Sequence, residues 1–290
     1  MPMIDANGLR LHYQQRGQGE DVILVHAVTA NMTVWMFTGV LERLAQEFRV
    51  TAYDLRGHGA SDVPDSGYTS ADTAADLRNL HAVLRLSPAL LVGHSFGAVI
   101  AMHAAVSYPD MVRGLILSDP YFSGLAYVEP NLAELRSWRA VRGALLEAGA
   151  ELDEEVNFTQ LFRVAAELTP PQKQRYGKRM GEASLRWLLQ LRRLAPTTCG
   201  RDIFLPAGLS AERIAQVRQP VIALYDEHTS FAATRRFLQE NVRDVRVETV
   251  RGATHITVLQ STDAFLQLVQ QHCRSPRRSR GMVPLGNRSG

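Results

Sequence analysis

Leu90-Leu91-Val92-Gly93-His94-Ser95-Phe96-Gly97-Ala98-Val99-Ile100 joins two structural periodicities at a single serine. Leu90–Val92 is continuously apolar, as in a parallel strand buried on both faces. Ala98-Val99-Ile100 opens an apolar helical stretch. A G-x-S-x-G pattern between strand and helix marks a turn so tight that the residues two before and two after the serine must lack bulk, hence Gly93 and Gly97. Such a turn strains the serine backbone, exposes its hydroxyl and points the N-terminus of a helix at the same spot. Ser95 is therefore the candidate nucleophile.

Outward from this turn, further continuous apolar runs occur at Val22–Val25, Leu115–Leu117 and Val221–Leu224. A weaker strand candidate spans Phe48–Tyr53, and Val245-Arg246-Val247 alternates as an edge strand would. Leu9, Leu11 and Tyr13 alternate with polar residues after Asn7-Gly8, which predicts the second arm of an antiparallel hairpin. Amphipathic helical stretches around residues 33–46, 71–86, 96–107, 231–240 and 261–272 separate the strands. Strands alternating with helices imply a doubly wound α/β sheet. From about residue 129 to residue 194 only helical spacing is found, as in Leu132, Leu135, Trp138 and Val141, or Leu161, Phe162, Ala165 and Leu168, or Trp187, Leu188, Leu191 and Leu194. An insert of this kind is expected to cap a site at the C-terminal ends of the strands, the alternative being a helical layer remote from any site. The expected division is a core of residues 1–120 and 210–273, a helical cap of residues 121–209 and a tail of residues 274–290.

Composition excludes several classes. In 290 residues, 46% are hydrophobic and 21% charged, the balance of a soluble globular enzyme rather than a disordered chain. A net charge of +3 is too small to indicate a nucleic-acid binder. The pI of about 9.0 owes much to Arg274, Arg277, Arg278 and Arg280 in the Ser-, Pro- and Gly-rich tail, which reads as disordered. Cys199 and Cys273 lie far apart with no metal-ligand spacing, so no disulfide framework and no metal site are expected. Neither a signal peptide nor the ~18–20 apolar residues of a membrane span is present, and a soluble, cytoplasmic protein is expected.

A serine needs a base within hydrogen-bond reach. Of nine histidines, His228 and His255 follow late strands, and His255 sits between the strand at 245–250 and the final helix, placed to reach Ser95. His94, adjacent to the serine, is expected to point elsewhere.

Gly93–Gly97, Leu24-Val25-His26-Ala27, Tyr53-Asp54-Leu55-Arg56-Gly57-His58-Gly59-Ala60-Ser61-Asp62 and Arg251-Gly252-Ala253-Thr254-His255 together resemble the α/β-hydrolase superfamily of capped serine esterases, over about residues 3–272. The resemblance implies a mostly parallel eight-stranded sheet, Ser95 and His255 as nucleophile and base, and an oxyanion hole formed by the backbone N–H groups of Phe96 and Val28. Ala27 stands where the family usually has glycine, and His26 is expected to support the loop through its ring nitrogens. Arg56–Gly59 is expected to be architectural. In the family the acid most often follows the seventh strand, yet that slot holds Thr229. Asp119, which ends the sixth strand, is the preferred acid; Asp226 or Glu227, in a loop expected to be solvated, is the alternative, and a dyad without acid the third reading.

The expected activity is hydrolysis of a carboxylic ester, lactone or thioester of a small, largely apolar substrate through an acyl-enzyme, with no cofactor or metal. Trp138, Phe158, Phe162 and Trp187 of the cap suggest the apolar character. Other readings on the same fold are a C–C bond hydrolase, a non-hydrolytic cyclase or acyltransferase, and a binding protein without catalysis. The expected partner is a small molecule, not nucleic acid or membrane, bound by a monomer or homodimer.

Overall fold

The computed structural model describes residues 2–129, 136–252, 255 and 261–274. Strands β1 (Met3–Asp5), β2 (Arg10–Arg16), β3 (Asp21–Val25), β4 (Arg49–Tyr53), β5 (Ala89–His94), β6 (Val112–Ser118), β7 (Val221–Asp226) and β8 (Val245–Val250) form one sheet. Its order is β1-β2-β4-β3-β5-β6-β7-β8. β1 and β2 pair antiparallel, as does β2 with β4; every later pairing is parallel. The hairpin turn carries positive φ at Asn7 and Gly8, the conformation these residue types tolerate best. β8 is the outer strand, as its alternation suggests.

The continuous apolar runs are explained by burial on both faces. Val22 and Leu24 of β3 point into one layer with Trp35, Leu41, Phe265 and Val269; Ile23 and Val25 point into the other with Leu77, Ile100 and Ala101. The first layer is closed by α1 (Thr33–Phe37), α2 (Val40–Leu44) and a final helix at Thr262–Arg274, with Trp35 stacked on Phe265 at 6.1 Å. The helix expected across residues 33–46 is two short helices, because Gly39 adopts a left-handed φ of 68° and its N–H turns back to Met36 O. The second layer is closed by α3 (Ser70–Val83) and α4 (Phe96–Ser107). α3 starts at a capping box in which Thr69 and Asp72 each receive the other's backbone N–H.

Between β6 and β7 the chain is helical: a 3₁₀ turn at Ser123–Val128, then α5 (Arg136–Glu147), α6 (Phe158–Glu167), α7 (Pro170–Met180), α8 (Glu182–Leu194), α9 (Cys199–Asp202) and α10 (Ala211–Ala215). The spaced apolar residues Leu161, Phe162, Ala165, Leu188, Leu191 and Leu194 are buried, whereas Leu132 and Leu135 lie outside the described residues. α11 (Ala232–Asn241) then connects β7 to β8, and the last helix among the described residues is α12 (Thr262–Arg274). Of the basic tail, all residues beyond Arg274 lie outside the described ones. No helix among the described residues is long and apolar enough to cross a membrane.

The loop after β4 ties these parts together. Asp54 accepts N–H groups from Met32 (2.8 Å) and Ala60 (3.0 Å) and meets His12 Nδ1 at 2.7 Å. Arg193 of α8 donates to Gly59 O and Ser61 O, which fastens the helical insert to that loop. Arg56 forms a two-pronged contact with Asp76 of α3, both N–O distances being 2.6 Å, and both side chains are largely buried. Removing one member of a buried pair strands the other charge and costs about 3–5 kcal/mol. Asp76→Ala is therefore expected to lower the unfolding free energy by about 3 kcal/mol, measured as a shifted urea midpoint with unchanged slope; an unshifted midpoint would show that this pair does not hold the loop.

Candidate active site

Ser95 sits between β5 and α4 with φ 53° and ψ −118°, a region sparsely populated by residues with a Cβ. Its N–H donates to Ser118 O at 2.8 Å, so the neighbouring strand holds the strained residue. The flanking glycines answer two separate contacts. A Cβ at Gly93 would stand 2.3 Å from Gly97 O, inside the turn, whereas a Cβ at Gly97 would stand 2.2 Å from Val25 O of β3. The second contact is long-range and is not visible in the motif itself.

Parallel register brings the C-terminal ends of the strands into a row. Val25 is opposite Gly93, His94 opposite Ser118, and Ser118 opposite Leu224. The loops that follow therefore present Val28, Ser95, Asp119 and Thr229 side by side at the point where strand order reverses between β3 and β5. Neither the Val28 N–H nor the Phe96 N–H, the first of α4, donates to an acceptor among the described residues. Both residues line the cavity that holds Ser95.

Two buried histidines shape the Val28 loop. His26 Nδ1 donates to Ala27 O at 2.7 Å, and Nε2 accepts the Leu55 N–H at 3.0 Å. His58 Nδ1 donates to Arg56 O at 2.7 Å, and Nε2 accepts the Thr29 N–H at 3.2 Å. Thr29 itself adopts a left-handed φ of 69°. Each ring must be neutral to donate through one nitrogen and accept through the other. Burial pushes the His26 pKa down, and burial together with the neighbouring His26 pushes that of His58 down to about 3.

His255 Nε2 lies 2.9 Å from Ser95 Oγ, and its Nδ1 lies 2.7 Å from Asp119 Oδ2. Both ring nitrogens are thus taken, which leaves neither for Asp226 or Glu227. Asp119 has a left-handed φ of 47°, and its N–H donates to Leu224 O at 2.8 Å. The loop after β7 departs from expectation in one respect: Asp226 is fully buried rather than solvated, because it still belongs to β7 and pairs with Val250 of β8. Glu227 is exposed and accepts the Gly252 N–H at 3.2 Å.

Sequence reasoning missed two partners of this cluster. His94, expected to point elsewhere, belongs to the same site: Nε2 donates to His255 O at 2.7 Å. Burial, then the adjacent His255, push the His94 pKa down to about 4 and keep this ring neutral. Thr229 Oγ1 donates to the second oxygen of Asp119, Oδ1, at 2.7 Å. His94 and His255 are 161 residues apart and Thr229 and Asp119 are 110 apart. The one signal available was the odd threonine in a slot where a carboxylate was expected.

A cavity of about 370 Å³ opens over Ser95 and His255, within the usual range of small-molecule sites. Its walls are Ala27–Ala30 and Val34 from the core, Tyr121 and Phe231 near Asp119, and Trp138, Val141, Phe158, Leu161, Trp187 and Phe204 from the helical insert. Phe162 is buried against Phe158 behind this wall rather than lining it. No Lys or Arg occurs among the described lining residues. Among the described residues no group of three or more His, Cys, Asp or Glu side chains could hold a metal ion.

A family model described as "Alpha/beta hydrolase family" matches residues 22–268. The chain is similar to the 2-(acetamidomethylene)succinate hydrolase of Mesorhizobium japonicum, 33% identical over 55% of this chain and 53% of that protein. It is also similar to the N-formylmaleamate deformylase of Pseudomonas putida, 39% identical over 42% of this chain and 45% of that protein. The matches thus span about half the length of these relatives. The solved enol-lactonase of Burkholderia xenovorans LB400 superposes with a TM-score of 0.67 at 20% identity, over 94% of this chain and 100% of that one, which shows the shared fold.

The neutral histidines make the site region acid-sensitive. In the unfolded chain each takes up a proton near pH ~6.5. In the folded protein His58 resists to about 3 and His94 to about 4. Between these limits the unfolded state binds more protons, so stability is complete above about pH 6.5 and falls as pH drops toward the folded values. Urea midpoints measured at pH 7, 6 and 5 are expected to decrease in that order; a flat profile would mean that these rings are not held neutral.

Proposed function

This chain belongs to the alpha/beta hydrolase family, and on that premise we propose that it is a serine hydrolase that cleaves a carboxylic ester, lactone or thioester of an uncharged, largely apolar small molecule. The observation that carries this reading is the hydrogen-bonded series Ser95 Oγ, His255 Nε2, His255 Nδ1, Asp119 Oδ2, with steps of 2.9 and 2.7 Å at the mouth of an apolar cavity.

In the proposed reaction Ser95 Oγ attacks the substrate carbonyl carbon while His255 Nε2 takes the hydroxyl proton. Asp119 holds the Nδ1–H tautomer and stabilises the imidazolium. The unspent N–H groups of Val28 and Phe96 receive the developing oxyanion, and in known enzymes removing one such donor costs about 2.7–4 kcal/mol. The imidazolium then protonates the leaving alcohol or thiol as the tetrahedral intermediate collapses to an ester on Ser95. Water, deprotonated by His255, attacks that ester, and the acid is released with the serine restored.

The cavity wall supports the substrate class. Two relatives are named for 2-(acetamidomethylene)succinate and N-formylmaleamate, acidic compounds whose charges would need partners in a closed site. Here the described walls offer aromatic and aliphatic surface and no cationic side chain. The helical insert supplies Trp138, Phe158, Trp187 and Phe204 of that surface and in this reading acts as a lid that sets the acyl length accepted. A monomer or homodimer suffices, since all the proposed reacting groups come from one chain.

Two expected outcomes test the reading. A fluorophosphonate probe should label Ser95 in the wild type and fail on Ser95→Ala, and p-nitrophenyl esters of neutral acyl chains should be turned over far faster than esters of dicarboxylic half-acids. An unlabelled Ser95 would leave the chain a binding protein or a hydrolase without an acyl-enzyme. Asp119→Asn should lower kcat by a factor of about 10⁴, as amide replacement of the acid does in serine proteases, while Glu227→Gln should change it less than about tenfold. Equal losses in the two variants would remove Asp119 from the mechanism.

A further inference from the structure

Thr229 stands at a junction that its neutral side chain does not announce. Its N–H closes the turn after β7 by donating to Asp226 O at 3.0 Å. Its hydroxyl oxygen accepts the Phe231 N–H at 3.1 Å, and its one hydroxyl proton is directed to Asp119 Oδ1 at 2.7 Å. Asp119 Oδ2 is the oxygen that meets His255 Nδ1. Each carboxylate oxygen thus has its own donor. The N–H of Asp119 is also bound to β7, through Leu224 O.

We propose that Thr229 is a positioning residue for the hydrolytic site: its hydroxyl aims Asp119 at His255 and tempers the charge that the carboxylate presents to the imidazole. This inference rests on the proposed serine-hydrolase reading and extends it to a residue outside the reacting groups. The physical basis is twofold. Asp119 is 2% exposed, so without Thr229 the Oδ1 atom would have no water to replace the lost donor. Among the described residues its side chain would then be held by His255 alone, which in the proposed reaction moves a proton during every cycle. A hydrogen bond to Oδ1 also draws negative charge from the carboxylate. Its loss leaves a stronger anion beside Nδ1, which stabilises the imidazolium more strongly. The other titratable groups that interact with Asp119, His94 and Tyr225, are unchanged by a substitution at 229.

The test uses the rate at which a fluorophosphonate labels Ser95, measured against pH. In this reaction Ser95 Oγ bonds to phosphorus, fluoride leaves, and the hydroxyl proton passes to His255, so no knowledge of the substrate is needed. Thr229→Val keeps the shape and removes the hydroxyl; Thr229→Ser keeps the hydroxyl; Thr229→Ala serves as a second deletion if the valine variant does not fold. The deletion variant should label about tenfold or more slowly at its optimum, with the acid limb of the pH profile shifted to higher pH. Thr229→Ser should stay within about threefold of wild type on an unshifted limb. Folding of each variant is checked by circular dichroism and its melting temperature. A folded deletion variant with the wild-type rate and limb overturns the proposal, as does a serine variant that falls as far as the deletion. A slower rate on an unshifted limb overturns the charge-tempering part. Wild-type protein that is not labelled at Ser95 removes the hydrolase reading itself, and this inference with it.

Discussion

The Val25 carbonyl oxygen lies so close to Gly97 that a Cβ there would meet it at 2.2 Å. That approach is the constraint from which the rest of the site follows. It lets α4 start directly against β3, so the serine turn and the loop after β3 share one wall. With any side chain at Gly97 the helix would have to retreat, and the Val28 and Phe96 N–H groups would no longer line one cavity with the Ser95 hydroxyl. The strain at Ser95, φ 53°, is maintained because the same packing leaves the chain no alternative path and β6 binds its N–H.

The polar framework around this contact consists of neutral donors and acceptors more than of charges. His26, His58 and His94 each use a ring nitrogen to hold a backbone atom of a site loop. Burial keeps them unprotonated, so they add no positive charge beside His255. A cationic ring at His94 would oppose formation of the imidazolium on His255, whose ring centre is 5.4 Å away. The low basicity of these rings therefore serves both the loops and the proton transfer proposed for the site. The arginine contacts that hold the scaffold, the Arg56–Asp76 ion pair and the hydrogen bonds from Arg193 to the Gly59 and Ser61 carbonyls, lie on the loop after β4 rather than on Ser95, His255 or Asp119.

The cavity joins two kinds of surface. The sheet side contributes Ala27–Ala30, Val34, Phe96 and Phe231 beside Ser95 and His255, and the helical insert contributes Trp138, Phe158, Trp187 and Phe204. Phe158 packs on both Trp138 and Phe204, and all three line the cavity, so that one set of aromatic contacts stabilises the insert and forms the cavity wall. Among the described residues this aromatic wall carries no cationic side chain, and the polar groups Ser95, His255 and Asp119 lie along the row of strand ends.

Local pattern was sufficient for much of this protein. The strand, turn and helix around Ser95 follow from an apolar run, two glycines and a second apolar run, because tight turns and doubly buried strands restrict residue type at each position. The order of strands and helices, and the helical character of the insert, followed from periodicity for the same reason. Local pattern could not decide the break at Gly39, where helical spacing continues on both sides of a left-handed residue. Nor could it decide how Asp119, Asp226 and Glu227 differ, since all three follow apolar runs near the same sheet edge. Tertiary structure separated them: parallel register set Asp119 beside Ser95 and within 2.7 Å of His255, kept Asp226 inside β7, and left Glu227 exposed. It also gave His94 and Thr229 their partners, because hydrogen bonds across more than a hundred residues depend on which strands are neighbours, and strand adjacency is a property of the folded sheet alone.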